Sequence, residues 1–176
     1  HPDKLTWPKF AYQPPSPKEY RTVLKSGPVA YVAEDRELPL VSISVTLRGG
    51  TYLDPAGKDG LADLAGYLLA RGGTATKTAE ELEERLAFLA ASLNSSYGPD
   101  RGNVSLNLLA KDLDEGLAIL REVLTAPRFQ DDKLKLRRDQ LLNDMKSRND
   151  DTADIEQRER GFLAHGEEYY TNRYPT

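Results

Sequence analysis

"GLADLAGYLLARGGT", residues 60–74, is the stretch on which the fold turns. Its apolar residues Leu61, Leu64, Ala65, Leu68 and Leu69 follow the i, i+3, i+4, i+7, i+8 spacing of a helix with one buried stripe. Arg71 sits in the last turn, and Gly72 and Gly73 follow, residues that readily adopt the left-handed backbone at which helices stop. Asp63, Gly66 and Tyr67 fall at i, i+3 and i+4 and so share one helix face. A helix can present two metal ligands and a general base on that spacing, but no histidine stands there.

Outward from this helix the chain alternates between two periods. Upstream, "ELPLVSISVTLRGG" sets Val41, Ile43, Val45 and Leu47 against Ser42, Ser44, Thr46 and Arg48, the period of a half-buried strand. Asp54-Pro55 and Gly57 form the loop between strand and helix. Further upstream, "RTVLKSGPVAYVA" reads as two short strands about a turn at Ser26-Gly27-Pro28. Residues 1–19 carry prolines at 2, 8, 14, 15 and 17 and no sustained period, and read either as a leader lying along a surface, with Trp7, Phe10 and Tyr12 as anchors, or as a loose tether.

Downstream, "TAEELEERLAFLAAS" opens with Thr78 and Glu81 in capping-box spacing and places Leu82, Leu86 and Leu89 inward. "GNVSLNLLA" alternates Val104, Leu106 and Leu108 with Ser105 and Asn107, a second clear strand. A third helix follows in "DLDEGLAILREVLTAP", with Asp112 and Glu115 as its cap pair. A fourth spans 131–149, with Leu134, Leu141, Leu142 and Met145 as its apolar contribution, and a fifth runs from Thr152 to Ala164. The alternating charges of "DDKLKLRRDQ" read as a water-facing surface. Strands with one polar face and several amphipathic helices imply an α+β fold, with helices packed on one face of a largely antiparallel sheet. A sheet of three or four strands is small for five helices, so the domain, residues 20–176, reads as incomplete at its C-terminus.

Composition narrows the function classes. With 39% hydrophobic and 30% charged residues among 176, the chain has the make-up of a globular domain with a substantial core. The formal net charge is −4 and no basic stripe is present, which argues against a nucleic-acid partner. Absence of cysteine excludes disulfides and thiolate metal sites but fits either redox compartment. No apolar run approaches the roughly 20 residues that span a bilayer. No signal peptide is visible, and a trimmed chain would have lost one.

The segment "LPLVSISVTLRGGTYLDPAGKDGLADLAGYLLARGGT" resembles the N-terminal domain of the insulinase/pitrilysin zinc metallopeptidases, the inverzincins. Gly49-Gly50, Gly60-Leu61-Ala62 and Gly73-Thr74 match the frame around the family's His-x-x-Glu-His helix, and the likeness extends over residues 20–170 through "RRDQLLNDMKSRNDD". In that family two imidazoles one turn apart bind zinc, the glutamate between them activates water, and a distal glutamate completes the site. By the resemblance the two histidine positions fall on Asp63 and Tyr67, the base on Gly66 and the distal glutamate on Asp144, so all four differ. Two carboxylates make a poor zinc site, and Gly66 has no side chain to act as base. The only histidines are His1 and His165.

The resemblance therefore implies no catalytic residue, cofactor or metal of the chain's own. It implies a non-catalytic peptidase-like subunit, because family chains often pair a zinc-bearing member with a motif-less paralogue that completes a peptide-binding chamber. The expected partner is such a zinc-bearing paralogue or a second copy in a homo-oligomer. A peptide would add as a strand to the edge near 41–48 or 103–110. Two alternatives stand beside this: a structural or protein-interaction module on a peptidase scaffold, and an active zinc metallopeptidase, which needs a histidine set not present. The proline-rich leader resembles the start of exported bacterial paralogues and implies the periplasm or cell envelope, with the cytoplasm as the other reading.

Overall fold

A computed structural model describes residues 11–166, 169, 172 and 173. The chain divides into two compact units, residues 1–38 and 39–176. In the first, a short 3-10 turn over Pro17–Tyr20 leads into β1 (Arg21–Val23), which pairs antiparallel with β2 (Val29–Tyr31) about the expected turn. Pro28 and Leu24 close that turn through Leu24 N–H donating to Pro28 C=O at 2.8 Å. Tyr12 is 68% exposed, while Trp7 and Phe10 lie outside the described residues.

The second unit holds β3 (Leu40–Arg48), α1 (Leu61–Arg71), α2 (Ala79–Phe88), β4 (Ser92–Tyr97), β5 (Arg101–Leu109), α3 (Leu113–Thr125), α4 (Asp131–Ser147) and α5 (Thr152–His165). Its sheet runs in the order β3-β5-β4, antiparallel throughout. The two strands expected from their alternation lie in this one sheet and pair with each other, Val41, Ile43 and Val45 opposite Leu108, Leu106 and Val104. The helices supply the other half of the core: Leu69 and Ala70 from α1, Leu82 from α2, and Ile119, Leu120 and Val123 from α3 pack with Leu93, Val104, Leu106 and Leu108. Full burial of each larger aliphatic side chain contributes roughly 1.5–3 kcal/mol. The opposite sheet face is polar. Ser42 Oγ donates to Asn107 Oδ1 at 2.6 Å, Ser44 Oγ to Asn103 Oδ1 at 2.7 Å, and Asn107 Nδ2 to Ser92 Oγ at 3.3 Å. The chain is thus α+β, with helices on the apolar face of an antiparallel sheet.

Several local expectations change. The second helix stops at Phe88 rather than running to Ser92; Ala90 takes a positive φ of 49° and β4 begins at Ser92. Leu93 is the only aliphatic residue in "SLNSSY", so this strand has no hydrophobic alternation to announce it. Because β4 covers the other side of β5, segment 103–110 lies in the middle of the sheet and cannot serve as an edge. Asp112 makes no side-chain cap, and Glu115 turns away to form a two-pronged ion pair with Arg85, whose Nη2 donates to Oε2 at 2.6 Å. That pairing holds the Glu115 carboxyl below its usual range and raises Arg85. The capping box is as expected, with Thr78 Oγ1 accepting from Glu81 N at 3.2 Å and Glu81 Oε2 accepting from Thr78 N at 2.7 Å. The fifth helix runs one residue beyond Ala164, its first turn capped by Asp151 through Ala153 N–H at 2.7 Å.

Candidate functional site

Helix α1 is held at both ends before any of its side chains can act. Gly60 stands at its N-cap and has no side chain to accept hydrogen bonds. Buried Asp54 does so instead, its Oδ2 accepting from Gly60 N at 2.8 Å and its Oδ1 from Ala62 N at 2.9 Å. A carboxylate there also faces the positive end of the helix dipole. At the other end Gly72 has an ordinary φ of −95°, and the left-handed residue is Gly73, at φ 76°.

The helix face carrying position 66 meets β4. Gly66, Leu68, Leu69 and Ala70 are buried, whereas Leu61 at the first turn is 46% exposed, so the expected stripe is buried toward the end of the helix and opens at its start. Ser95, on the inner face of β4, sends its hydroxyl into the helix: it donates to Gly66 C=O and accepts from Ala70 N–H at 3.0 Å. The contact is tight enough that a Cβ on residue 66 would lie 2.7 Å from Tyr97 Cδ2 and 2.9 Å from Tyr97 N. No side chain fits at this position without moving the strand.

Asp63 and Tyr67 face α4. Arg137 Nη2 lies 3.4 Å from Asp63 Oδ2, and the Arg137 guanidinium carbon sits 4.7 Å from the Tyr67 ring centroid. Arg71 approaches the same ring at 4.9 Å. The first-turn acid is therefore committed to a cation, and the tyrosine ring carries two guanidinium groups in cation–π contact. Asp144 is exposed, two turns or about 10 Å further along α4 than Arg137. It lines a hollow between α4 and α5 with Met145, Arg148, Asp154 and Arg158. Among the described residues no hydrogen bond or ion pair joins Asp144 to Asp63 or Tyr67, and no group of three His, Cys, Asp or Glu side chains is placed to hold a metal ion.

A divalent cation at Asp63 would compete with Arg137, and position 66 offers neither base nor space.

Beside Tyr67 opens a cleft of about 510 Å³, between α1, α2, the start of β4 and α4. Its lining combines Ala70, Leu86, Leu93 and Leu136 with Arg71, Glu83 and Lys133. Lys133 Nζ pairs with Glu80 Oε1 at 2.6 Å, which lowers the Glu80 carboxyl to about 2 and raises the lysine. Lys133 and Arg137 are one turn apart, and their side chains are only 26% and 23% exposed. The charged segment of α4, read from sequence as a solvated surface, thus turns two cations inward. Its 133/137 spacing was the available signal; which acids they meet was not, because Glu80 and Asp63 lie on other helices.

An α+β domain with a glycine-framed helix over an antiparallel sheet is the architecture of a metallopeptidase-like domain. A family model for insulinase (peptidase family M16) matches residues 30–163, and the chain belongs to this family. Among solved structures, an inactive domain of a peptidase M16 from Pseudomonas fluorescens matches 88% of this chain and 37% of its own, at 20% identity and TM-score 0.80. A variant of the ferredoxin protease FusC in complex with Arabidopsis ferredoxin matches 97% of this chain at 18% identity and TM-score 0.70. The periplasmic protease PqqL from Escherichia coli matches 74% at 14% identity and TM-score 0.63. This chain spans 37%, 21% and 14% of the length of those three chains. No curated protein matches it.

Proposed function

We propose that this chain is a non-catalytic, peptidase-like subunit that completes a peptide-binding chamber with a zinc-bearing family partner or with a second copy of itself. The observation that carries the reading is Gly66. It stands where the resemblance puts the general base, and β4 packs so closely on it that a carboxylate could reach no substrate from there. Asp63, Tyr67 and Asp144, at the other three zinc-motif positions, are respectively ion-paired, stacked and exposed.

Peptide binding is supported by the sheet. β3 is a terminal strand of the described sheet, so its outer backbone groups are available for strand addition. The polar ladder of Ser42, Ser44, Asn103 and Asn107 offers neutral hydrogen-bonding partners on the same sheet. A periplasmic or envelope location fits the likeness to a protease described as periplasmic. No helix among the described residues is long and apolar enough to cross a membrane.

Reconstitution tests the proposal. The chain is mixed with a His-x-x-Glu-His member of the family, and hydrolysis of an unstructured peptide is followed. Activity of the mixture well above that of either component is expected. Equal activity of the zinc-bearing member with and without this chain, or hydrolysis by this chain alone, would overturn it.

A further inference from the structure

We infer that the outer edge of β3 pairs with β3 of a second copy of this chain, antiparallel and centred on Ser44, so that two sheets join into one. The ends of the β3–β5 ladder show which way the β3 backbone faces. Ala110 N–H donates to Pro39 C=O at 2.9 Å, and Gly49 N–H donates to Asp100 C=O at 3.2 Å. Bonding partners alternate along an antiparallel strand, so the odd-numbered residues of β3 bond to β5. The N–H and C=O groups of Leu40, Ser42, Ser44, Thr46 and Arg48 therefore point outward, and no described strand pairs with them.

Edge strands are ordinarily blunted by lysine, proline or a bulge. β3 has no acid, lysine or proline from Leu40 to Leu47, and its register with β5 is one-to-one throughout. Its apolar row is also incompletely covered: Val104, Leu106 and Leu108 on β5 are buried, whereas Val41, Ile43, Val45 and Leu47 are only half-buried. The strand is complementary to itself. Full overlap of its nine residues puts the two-fold axis at Ser44 and sets Val41 opposite Leu47, Ile43 opposite Val45 and Ser42 opposite Thr46. Apolar side chains then meet on the helix-covered face and hydroxyls on the polar face, both favourable cross-strand pairings. Arg48 falls opposite Leu40, so no like charges meet. The outward groups supply about ten backbone hydrogen bonds across the axis. A peptide strand would compete for this edge. Dimerisation itself needs neither a peptide nor a zinc-bearing member, so this inference and the proposed function fail separately.

Sedimentation velocity of the purified chain, from about 1 to about 100 µM, tests this. A reversible monomer–dimer equilibrium is expected within that range, as befits a small strand-edge interface. Ser44→Lys and Ser44→Asp, each at the exposed residue on the axis, should be monomeric throughout with unchanged circular dichroism, because each sets like charges opposite one another. An equimolar mixture of the two variants should recover the dimer, since lysine then faces aspartate. Asn94→Lys, exposed on the other terminal strand, should dimerise as the parent does. A parent that stays monomeric, a dimer unaffected by either charge at position 44, a mixture that stays monomeric, or a dimer lost in Asn94→Lys would each overturn the inference.

Discussion

Replacing Gly66 by alanine separates a packing glycine from an incidental one. At an open helix position the substitution should stabilise by about 1 kcal/mol, because glycine is the poorer helix former. Here the added Cβ would lie 2.7 Å from Tyr97 Cδ2, 2.9 Å from Tyr97 N and 3.2 Å from Ser96 C. Two of those atoms are backbone, so no rotamer change relieves the contact and α1 must move away from β4. Overpacking costs about 1–3 kcal/mol, and a contact of this kind belongs at the upper end. The net expectation is a loss of about 2 kcal/mol, or a fall in Tm of about 4–8 °C for a chain of this size. Urea and thermal unfolding followed by circular dichroism read this directly. A variant as stable as the parent, or more stable, would refute the close approach of α1 and β4. Gly66→Glu should be worse still, since it adds a carboxylate to the same buried contact.

Other perturbations test separate parts of the structure. Thr78→Ala removes one half of the capping box on α2 and should cost about 1 kcal/mol in urea unfolding. Leu106→Ala, at a fully buried position on the central strand, should cost about 2–5 kcal/mol, whereas Leu163→Ala, 89% exposed, should stay within about 0.5 kcal/mol. Glu80 is lowered from 4.5 to about 2 by its hydrogen bond with Lys133, so the folded chain holds this proton less tightly than the unfolded one. The pair's contribution is then complete above pH 4.5 and disappears as the pH falls toward 2. Lys133→Met should flatten that part of the stability profile, and an unchanged acid limb would contradict the pairing.

What the sequence disclosed depended on how local the cause was. That β3 and β5 are strands was legible because both alternate strictly, and period two fixes which residues face the helices. The Thr78–Glu81 box was legible because both partners lie within one turn. β4 was hidden because serine and asparagine occupy most of it, and Ser95 is an inward residue whose role is to bond the backbone of α1. Gly66 is visible in the sequence as a missing side chain, but its packing partner Tyr97 is fixed only by the placement of that strand. Asp54 caps α1 from six residues upstream of Gly60, outside the usual capping spacing. The candidate site was the least visible part. Its degenerate positions showed in the resemblance, but the pairing of Arg137 with Asp63 spans 74 residues and follows only from the packing of α4 on α1.

Zinc content tests the central claim most directly. The purified chain is incubated with excess zinc, dialysed against metal-free buffer, and analysed for metal per chain. With Asp63 paired to Arg137, Tyr67 beneath two guanidiniums and β4 closed over Gly66, the chain should retain no stoichiometric zinc. One zinc retained per chain, lost on Asp63→Ala, would contradict the account.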